Sequence, residues 1–87
     1  MNQTVYRVIG FGENENGFFN EPVFASTKEK AFNLYDEFYR NPEIQGAVLI
    51  ESQHEDWRVI YEFGVKDVEV VCGPLFTFSV VKSAVPV

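Results

Sequence analysis

Cysteine and basic residues are scarce in this chain of 87 residues. Cys72 is the single cysteine, so no internal disulfide forms and folding does not depend on an oxidising compartment. Seven lysines and arginines stand against thirteen aspartates and glutamates, which gives a formal net charge of −6. The phosphates of DNA and RNA repel such a chain, and direct nucleic-acid binding is therefore not expected.

The sequence also lacks a long hydrophobic run. Its longest mostly apolar stretch, residues 75–81, is far shorter than the roughly 20 residues that a membrane-spanning helix needs. The first residues, MNQTVYRVIGFG, show no basic segment followed by an apolar one, the pattern of a secretory signal. We expect a cytoplasmic protein without membrane contact, folded as a single domain over residues 1–87. Residues 82–87 are expected to form a frayed tail.

Aromatic residues, in contrast, are abundant. Nine phenylalanines, four tyrosines and one tryptophan make up 16% of the chain. Each ring buries a large area, so a short chain builds a core from few of them. Rings in excess of what one small core holds tend to lie at interfaces. The composition therefore favours a globular domain with a contact surface.

The clearest predicted element is a helix. Ser26 and Glu29 have the spacing of a capping box, in which the serine hydroxyl accepts from the Glu29 amide and the glutamate side chain reaches back. Apolar residues then recur at helical spacing, and they are Ala31, Phe32, Leu34, Tyr35, Phe38 and Tyr39. Asn41 precedes Pro42, and the residue before a proline avoids the helical region. We predict a helix over about residues 27–40.

The rest of the chain is typical of strands and turns. Six stretches have the alternating or apolar composition of strands. They are residues 4–11, 18–25, 47–50, 57–63, 65–72 and 75–81. The order is β-β-α-β-β-β-β, and the short connections predict antiparallel hairpins. The predicted fold class is α+β: a curved antiparallel sheet of four to six strands with one helix packed on one face.

One helix covers only one face of such a sheet. A helix of about 14 residues is roughly 21 Å long and 10 Å wide, enough for three or four strands. Because apolar residues occur on both sides of the predicted strands, one apolar face is left uncovered, and such a face usually marks a contact surface. The candidate interface residues are Val5, Tyr6, Val8, Ile60 and Leu75. The alternative is a sheet that coils into a half-barrel and buries both sets of side chains itself.

The glycine-rich stretch GFGENENGFF, residues 10–19, resembles a phosphate or metal loop only in composition. A dinucleotide fingerprint requires a third glycine that leads into a helix, whereas Glu15 has that position here. A P-loop requires a lysine after its last glycine, and a calcium loop requires an acid at its twelfth position. Neither is present. Asn16 and Gly17 predict a tight turn between two strands instead.

Candidate catalytic and metal-binding groups are few. His54, Glu55 and Asp56 lie near Glu51 in the sequence and have the chemistry of a weak divalent-metal site, but polar clusters of this kind are typical of hairpin tips. Cys72 ends an apolar strand, where a free cysteine usually acts as a small buried hydrophobe. We therefore predict no enzyme activity, no catalytic residue, no cofactor and no metal.

The predicted function is a small acidic interaction module that self-associates as a homodimer through the uncovered face. The alternative is an acidic inhibitor of the kind that phages encode, whose carboxylates imitate phosphates and occupy a basic site on a partner protein. Its candidate acids are Glu13, Glu15, Asp36, Glu37, Glu55 and Asp56. A small enzyme or ligand-binding domain is the third interpretation.

Overall fold

One helix and six strands follow one another along the described part of the chain. The computed structural model describes residues 4–83. The strands are β1 (Thr4–Asn14), β2 (Gly17–Ala25), β3 (Gly46–Gln53), β4 (Asp56–Phe63), β5 (Val68–Cys72) and β6 (Phe78–Lys82). The helix, α1 (Lys28–Arg40), lies between β2 and β3. The predicted fold class and element order are confirmed.

Thr27 caps the start of α1. Its Oγ1 accepts a hydrogen bond from the Lys30 amide at 3.2 Å, and its own backbone is extended. The predicted cap at Ser26 is therefore wrong by one residue, because Thr27 offers the same hydroxyl chemistry one position later. The helix ends at Arg40, before the extended residue that precedes Pro42, as the sequence predicts.

Strands β1 to β4 form one antiparallel sheet in the order β2-β1-β3-β4. The turn between β1 and β2 contains Gly17 with a φ of 114°, in agreement with the predicted tight turn. Strand β1 is central, since Tyr6 pairs with Ala25 of β2 on one side and with Glu51 of β3 on the other. Strands β2 and β4 are consequently the edges of this sheet.

The helix packs against one face of the four-stranded sheet. The core on this side consists of Val8, Ala25, Ala31, Phe38, Ile44, Ala47 and Leu49. A Cβ atom at Gly10 would lie 2.7 Å from the ring of Phe38, closer than atoms pack in protein interiors. The glycine on β1 therefore allows the helix to lie close to the middle of the sheet.

A third layer covers the other face. Strands β5 and β6 pair with each other in a separate two-stranded sheet. Side chains of this hairpin and of the main sheet form a second core, made of Ile9, Phe11, Val48, Ile50, Phe78 and Val80. The expectation of an apolar face left open is therefore wrong for most of that face, because the β5–β6 hairpin buries it.

The chain reaches this second face through a turn at Gly64. Its φ of 65° lies in the left-handed region, and a Cβ atom there would collide with the backbone carbonyl of Gln45. Only glycine meets both demands without strain. The chain thus leaves β4 and folds over the sheet. The short connections in the sequence do not distinguish this path from one that adds β5 to the edge of the sheet.

A β-bulge in β4 divides its side chains between the two faces. Leu49 pairs with Tyr61 and Ile50 pairs with Val59, so Ile60 is the extra residue. Trp57 lies on the hairpin side, where its ring meets that of Phe78 at 5.0 Å between centroids. The regular alternation expected from residue 57 to residue 63 is therefore interrupted, since a bulge shifts the residues before it to the opposite face.

The five candidate interface residues do not share one open face. Val8 is fully buried beneath α1, and Tyr6 and Ile60 pack against the same core, partly buried. Val5 lies on the opposite face of β1 and is half-buried. Leu75 is the exception, with 93% of its surface exposed. Among the five candidate interface residues, Leu75 is therefore the one whose side chain is free to contact a partner.

The expected fraying from residue 82 onward does not hold for its first two residues. Lys82 ends β6, and its Nζ forms an ion pair with Oε2 of Glu13 at 2.7 Å. The amide of Ser83 donates to the carbonyl of Asp67 at 2.8 Å. Residues 84–87 lie outside the described residues.

Candidate interaction surfaces

The turn between β5 and β6 places Leu75 in solvent. The amide of Gly73 donates to the carbonyl of Thr77 at 2.7 Å and closes a tight turn over Pro74–Phe76. The predicted strand from residue 75 therefore begins only at Phe78, beyond this turn. Leu75 and the residue after it have φ values of 57° and 54°. A left-handed backbone costs a residue other than glycine about 1–2 kcal/mol.

Three exposed apolar side chains and one arginine surround this turn, and we name them the apolar corner: Arg7, Phe24, Leu75 and Phe76. Phe24, on the edge strand β2, is 69% exposed and Phe76 is 39% exposed. A groove of about 300 Å³ separates Pro22 and Phe24 from the turn. Arg7 and Phe24 belong to a part of the second sheet face that the β5–β6 hairpin leaves open.

Arg7 is held firmly within the apolar corner. Its guanidinium carbon lies 5.2 Å from the ring centroid of Phe24 and 4.9 Å from that of Phe78, distances at which a cation is attracted to a ring face. Its Nη1 donates to Oγ of Ser52 at 2.8 Å. The arginine stem and the rings thus form a fixed wall of the groove.

A second exposed surface lies where α1 meets the edge strand β4. We name it the aromatic seam, and it consists of Phe32, Tyr35, Tyr39, Tyr61 and Phe63. The ring centroids of Phe32 and Tyr61 are 5.4 Å apart, and those of Tyr39 and Phe63 are 5.1 Å apart. Phe32, Tyr39 and Tyr61 are 45%, 65% and 41% exposed. The helical periodicity predicted that the three helix rings face the sheet, but it did not predict that the sheet ends beneath them.

The six predicted surface acids do not form one array. They lie at the β1–β2 turn (Glu13, Glu15), on α1 (Asp36, Glu37) and at the β3–β4 turn (Glu55, Asp56). The two turns are at opposite ends of the sheet, about 30 Å apart along β1. Two of the acids are also neutralised locally, since Glu13 pairs with Lys82 and Asp36 pairs with Arg40 at 3.0 Å.

The candidate metal and nucleophilic groups lie on different elements. His54 and Glu55 are in the β3–β4 turn, and His54 has a φ of 55°. Cys72 is half-buried at the end of β5, with its Sγ 3.7 Å from the carbonyl oxygen of Gly73. Within residues 4–83, no group of three or more histidine, cysteine, aspartate or glutamate side chains has the arrangement of a metal site.

Tyr35 gives the aromatic seam a pH dependence. Burial among the rings, and then the charge of Glu62, raise the pKa of Tyr35 above its ordinary value. The unfolded chain therefore loses this proton first, so the stabilisation from neutral Tyr35 is complete below about pH 10 and is lost as the pH rises above it. We expect Tyr35→Phe to reduce the loss of stability between about pH 9 and about pH 11, measured by urea unfolding. Parallel losses in both proteins would contradict the assignment.

Comparison with known proteins identifies no relative of this chain. No model of a protein family, no curated protein and no solved structure matches this chain. Within residues 4–83, α1 has neither the length nor the apolar character of a membrane-spanning helix. The fold and its surfaces define a three-layered α+β domain that exposes two separate groups of apolar side chains, and the function is inferred from these.

Proposed function

We propose that this protein is a non-catalytic interaction module that forms a homodimer through its apolar corner. The observation that carries this proposal is Leu75, which is 93% exposed on a left-handed backbone. Both features oppose folding of the isolated chain, since the conformation is strained and the side chain gains nothing from burial. Contact with a partner would bury this leucine and offset that cost.

The corner is suited to contact a copy of itself. Leu75 projects beside a groove of about 300 Å³, which exceeds the space that one leucine side chain fills. In a two-fold dimer the same patch faces itself, so each copy's leucine meets the other copy's groove. Phe24, at the wall of that groove, is then buried together with the leucine.

Charge favours the corner over other surfaces for contact between copies. Two chains with a net charge of −6 repel each other where their acids meet. The described residues that line the groove carry no carboxylate and one guanidinium, that of Arg7. Two copies therefore approach each other here without bringing acidic side chains together.

The expected dimer is weak. Burial of a leucine or phenylalanine side chain contributes about 1.5–3 kcal/mol, and two copies bury Leu75 and Phe24 twice. Association itself costs at least about 4 kcal/mol in lost translational and rotational freedom. We expect a dissociation constant between the micromolar and the millimolar range.

Replacing Leu75 by glycine separates the fold from the function. Glycine adopts the left-handed backbone without strain, so Leu75→Gly is expected to raise the free energy of unfolding by about 1 kcal/mol. The same change removes the side chain that enters the groove, and the variant is expected to be monomeric. Sedimentation equilibrium and urea unfolding measure the two effects on one preparation.

A matched control is Val71→Gly or Val71→Ser on the neighbouring strand of the same hairpin. Val71 is 41% exposed but lies outside the apolar corner, so the serine variant is expected to dimerise like the wild type. The proposal fails if the wild type remains a monomer up to about 1 mM, or if Leu75→Gly dimerises with unchanged affinity.

A further inference from the structure

Arg7 differs from the other two arginines of the chain in its surroundings. Those two are exposed and pair with carboxylates at 3.0 Å, Arg40 with Asp36 and Arg58 with Glu51. Arg7 is half-buried, and within the described part of the chain no carboxylate side chain forms an ion pair with it. Burial removes water from a charge, which is costly where no counter-charge replaces it. An anion from outside the chain would offset that cost.

The guanidinium of Arg7 is fixed in position, but most of its donors are free. It lies against the rings of Phe24 and Phe78, and its Nη1 donates to Oγ of Ser52 at 2.8 Å. That hydroxyl donates in turn to the carbonyl of Val5 at 3.4 Å. A guanidinium has five N–H donors. Among the described residues no buried side-chain nitrogen lacks a partner, so the remaining donors of Arg7 are open to solvent, ready to meet a ligand without reordering.

The groove of the apolar corner lies beside these donors. Its volume of about 300 Å³ is at the lower end of the range for small-molecule sites. Apolar side chains such as Ile9 and Phe76 line it together with Arg7, and no carboxylate does. The chain's net charge of −6 is screened beyond about 10 Å at 0.1 M salt, so the nearby guanidinium sets the charge that an anion meets in the groove.

One positive charge in an apolar groove selects an anion with one negative charge and an apolar body. A carboxylate fits the guanidinium in shape, because its two oxygens accept from two parallel N–H donors. A phosphate ester would bring nearly two negative charges to a single positive one. The apolar body of the ligand then lies against the rings and the aliphatic side chains of the groove, where its burial adds to the affinity.

We propose that the groove of the apolar corner binds a small monocarboxylic acid with an apolar body. The carboxylate accepts from the free N–H donors of Arg7, and the apolar body lies between Phe24 and Leu75. All of these groups come from one chain, so the monomer binds the acid and the site does not depend on dimer formation. The acid occupies the space that Leu75 of a second copy enters in the proposed dimer, and each therefore excludes the other.

The test is a titration of the ¹⁵N-labelled protein with octanoate, followed by NMR. Octanamide is the neutral control, because it keeps the apolar chain and loses the charge, and acetate keeps the charge without the chain. We expect octanoate to shift the amides of Phe24, Thr77 and Phe78, and each control to bind about 10-fold more weakly or less. Equal affinity for octanoate and either control, or octanoate shifts confined to α1 and β4, overturns the proposal.

Variants then assign the charge to Arg7. Arg7→Gln is expected to lower the affinity for octanoate about 10-fold and to leave that for octanamide unchanged. If Arg7→Gln does not fold, Arg7→Lys replaces it, since lysine keeps the charge but loses the planar fork, and octanoate should again bind more weakly. Arg40→Gln is the matched control, because it removes the same charge from an exposed position on α1. If Arg40→Gln weakens octanoate binding as much as the Arg7 variants, the groove is not the site.

Competition with the dimer places the acid in the groove, and this part of the test rests on the proposed function. With octanoate at ten times its own dissociation constant, a dimer that requires both grooves empty should dissociate about 100-fold more readily. Sedimentation equilibrium with and without octanoate measures the change. A dimer that persists unchanged would overturn the placement of the acid. Octanoate binding by a wild type that is always monomeric would support the acid site and contradict the dimer, so the two failures are distinguishable.

Discussion

Replacement of Ile50 by alanine is expected to lower the free energy of unfolding by about 2–5 kcal/mol, and replacement of its neighbour Leu49 is expected to cost as much. Both side chains are fully buried, but on opposite faces of β3. Leu49 belongs to the core under α1, whereas Ile50 belongs to the core under the β5–β6 hairpin. The pair therefore measures whether the second face is closed as tightly as the first.

Urea unfolding followed by circular dichroism gives both values. A domain of this size has a total stability of about 4–13 kcal/mol, so an alanine variant that fails to fold is replaced by Ile50→Val or Leu49→Val, which are expected to cost about 0.5–1.5 kcal/mol. Val71→Ala, at an exposed position, is the control and should cost less than about 1 kcal/mol. A small cost at Ile50 beside a full cost at Leu49 would mean that the hairpin does not cover the sheet.

The elements of the fold follow from local signals in the sequence. Helical spacing of apolar residues and the stop at Pro42 predict α1 to within one residue at its start and at its end. The Asn-Gly pair predicts the β1–β2 turn, and the apolar run from residue 47 to residue 50 predicts β3, which is buried on both faces. Each of these signals depends only on residues that are close together in the sequence.

The arrangement of layers does not follow from such signals. Whether β5 joins the sheet edge or crosses the second face depends on the left-handed turn at Gly64 and on its approach to Gln45, a contact between residues 19 positions apart. The bulge at Ile60 has no signature in the sequence either. The residues from Trp57 to Phe63 alternate with one apolar exception, and this pattern fits a strand with the bulge as well as one without it. The size of one helix predicts that one face of the sheet stays open. The chain's own β5–β6 hairpin closes that face.

The contact surfaces were predictable only in part. Leu75 was expected to be exposed because it falls on the sheet face that the helix leaves uncovered, and it is exposed for another reason, the turn that precedes β6. Phe24 and the rings of the aromatic seam gave no separate signal. Their exposure depends on where the sheet ends, and the position of an edge is a property of the assembled fold.

One polar side chain joins the third layer to the main sheet. The amide of Asn20 on β2 donates through Nδ2 to the carbonyl of Val80 at 2.8 Å, and its Oδ1 accepts from the amide of Val80 at 2.7 Å. This pair of bonds repeats the pattern by which one peptide group pairs with another in a sheet. Asn20 therefore supplies the hydrogen bonds that a neighbouring strand would give to β6. It does so at Val80, whose side chain is fully buried.

Asn20→Ala is accordingly expected to lower the free energy of unfolding by about 2–4 kcal/mol. The change leaves an amide and a carbonyl of Val80 without partners, and each unsatisfied buried group costs about 1–3 kcal/mol. Asn20→Asp keeps an acceptor for the amide but sets a negative charge against the carbonyl, so it should cost at least as much as alanine. Urea unfolding gives the stabilities, and hydrogen exchange at the Val80 amide shows whether the hairpin itself has loosened.

Asn33→Ala is the matched control for this prediction, because Asn33 is exposed on α1 and alanine is the better helix former. Its effect should stay within about 0.5 kcal/mol of the wild type. Protection of the Val80 amide should fall in Asn20→Ala and remain unchanged in Asn33→Ala. If Asn20→Ala keeps both its stability and that protection, the two side-chain bonds do not hold the hairpin, and the closure of the second face must rest on the apolar packing around Ile50 and Val80 and on the ion pair between Lys82 and Glu13.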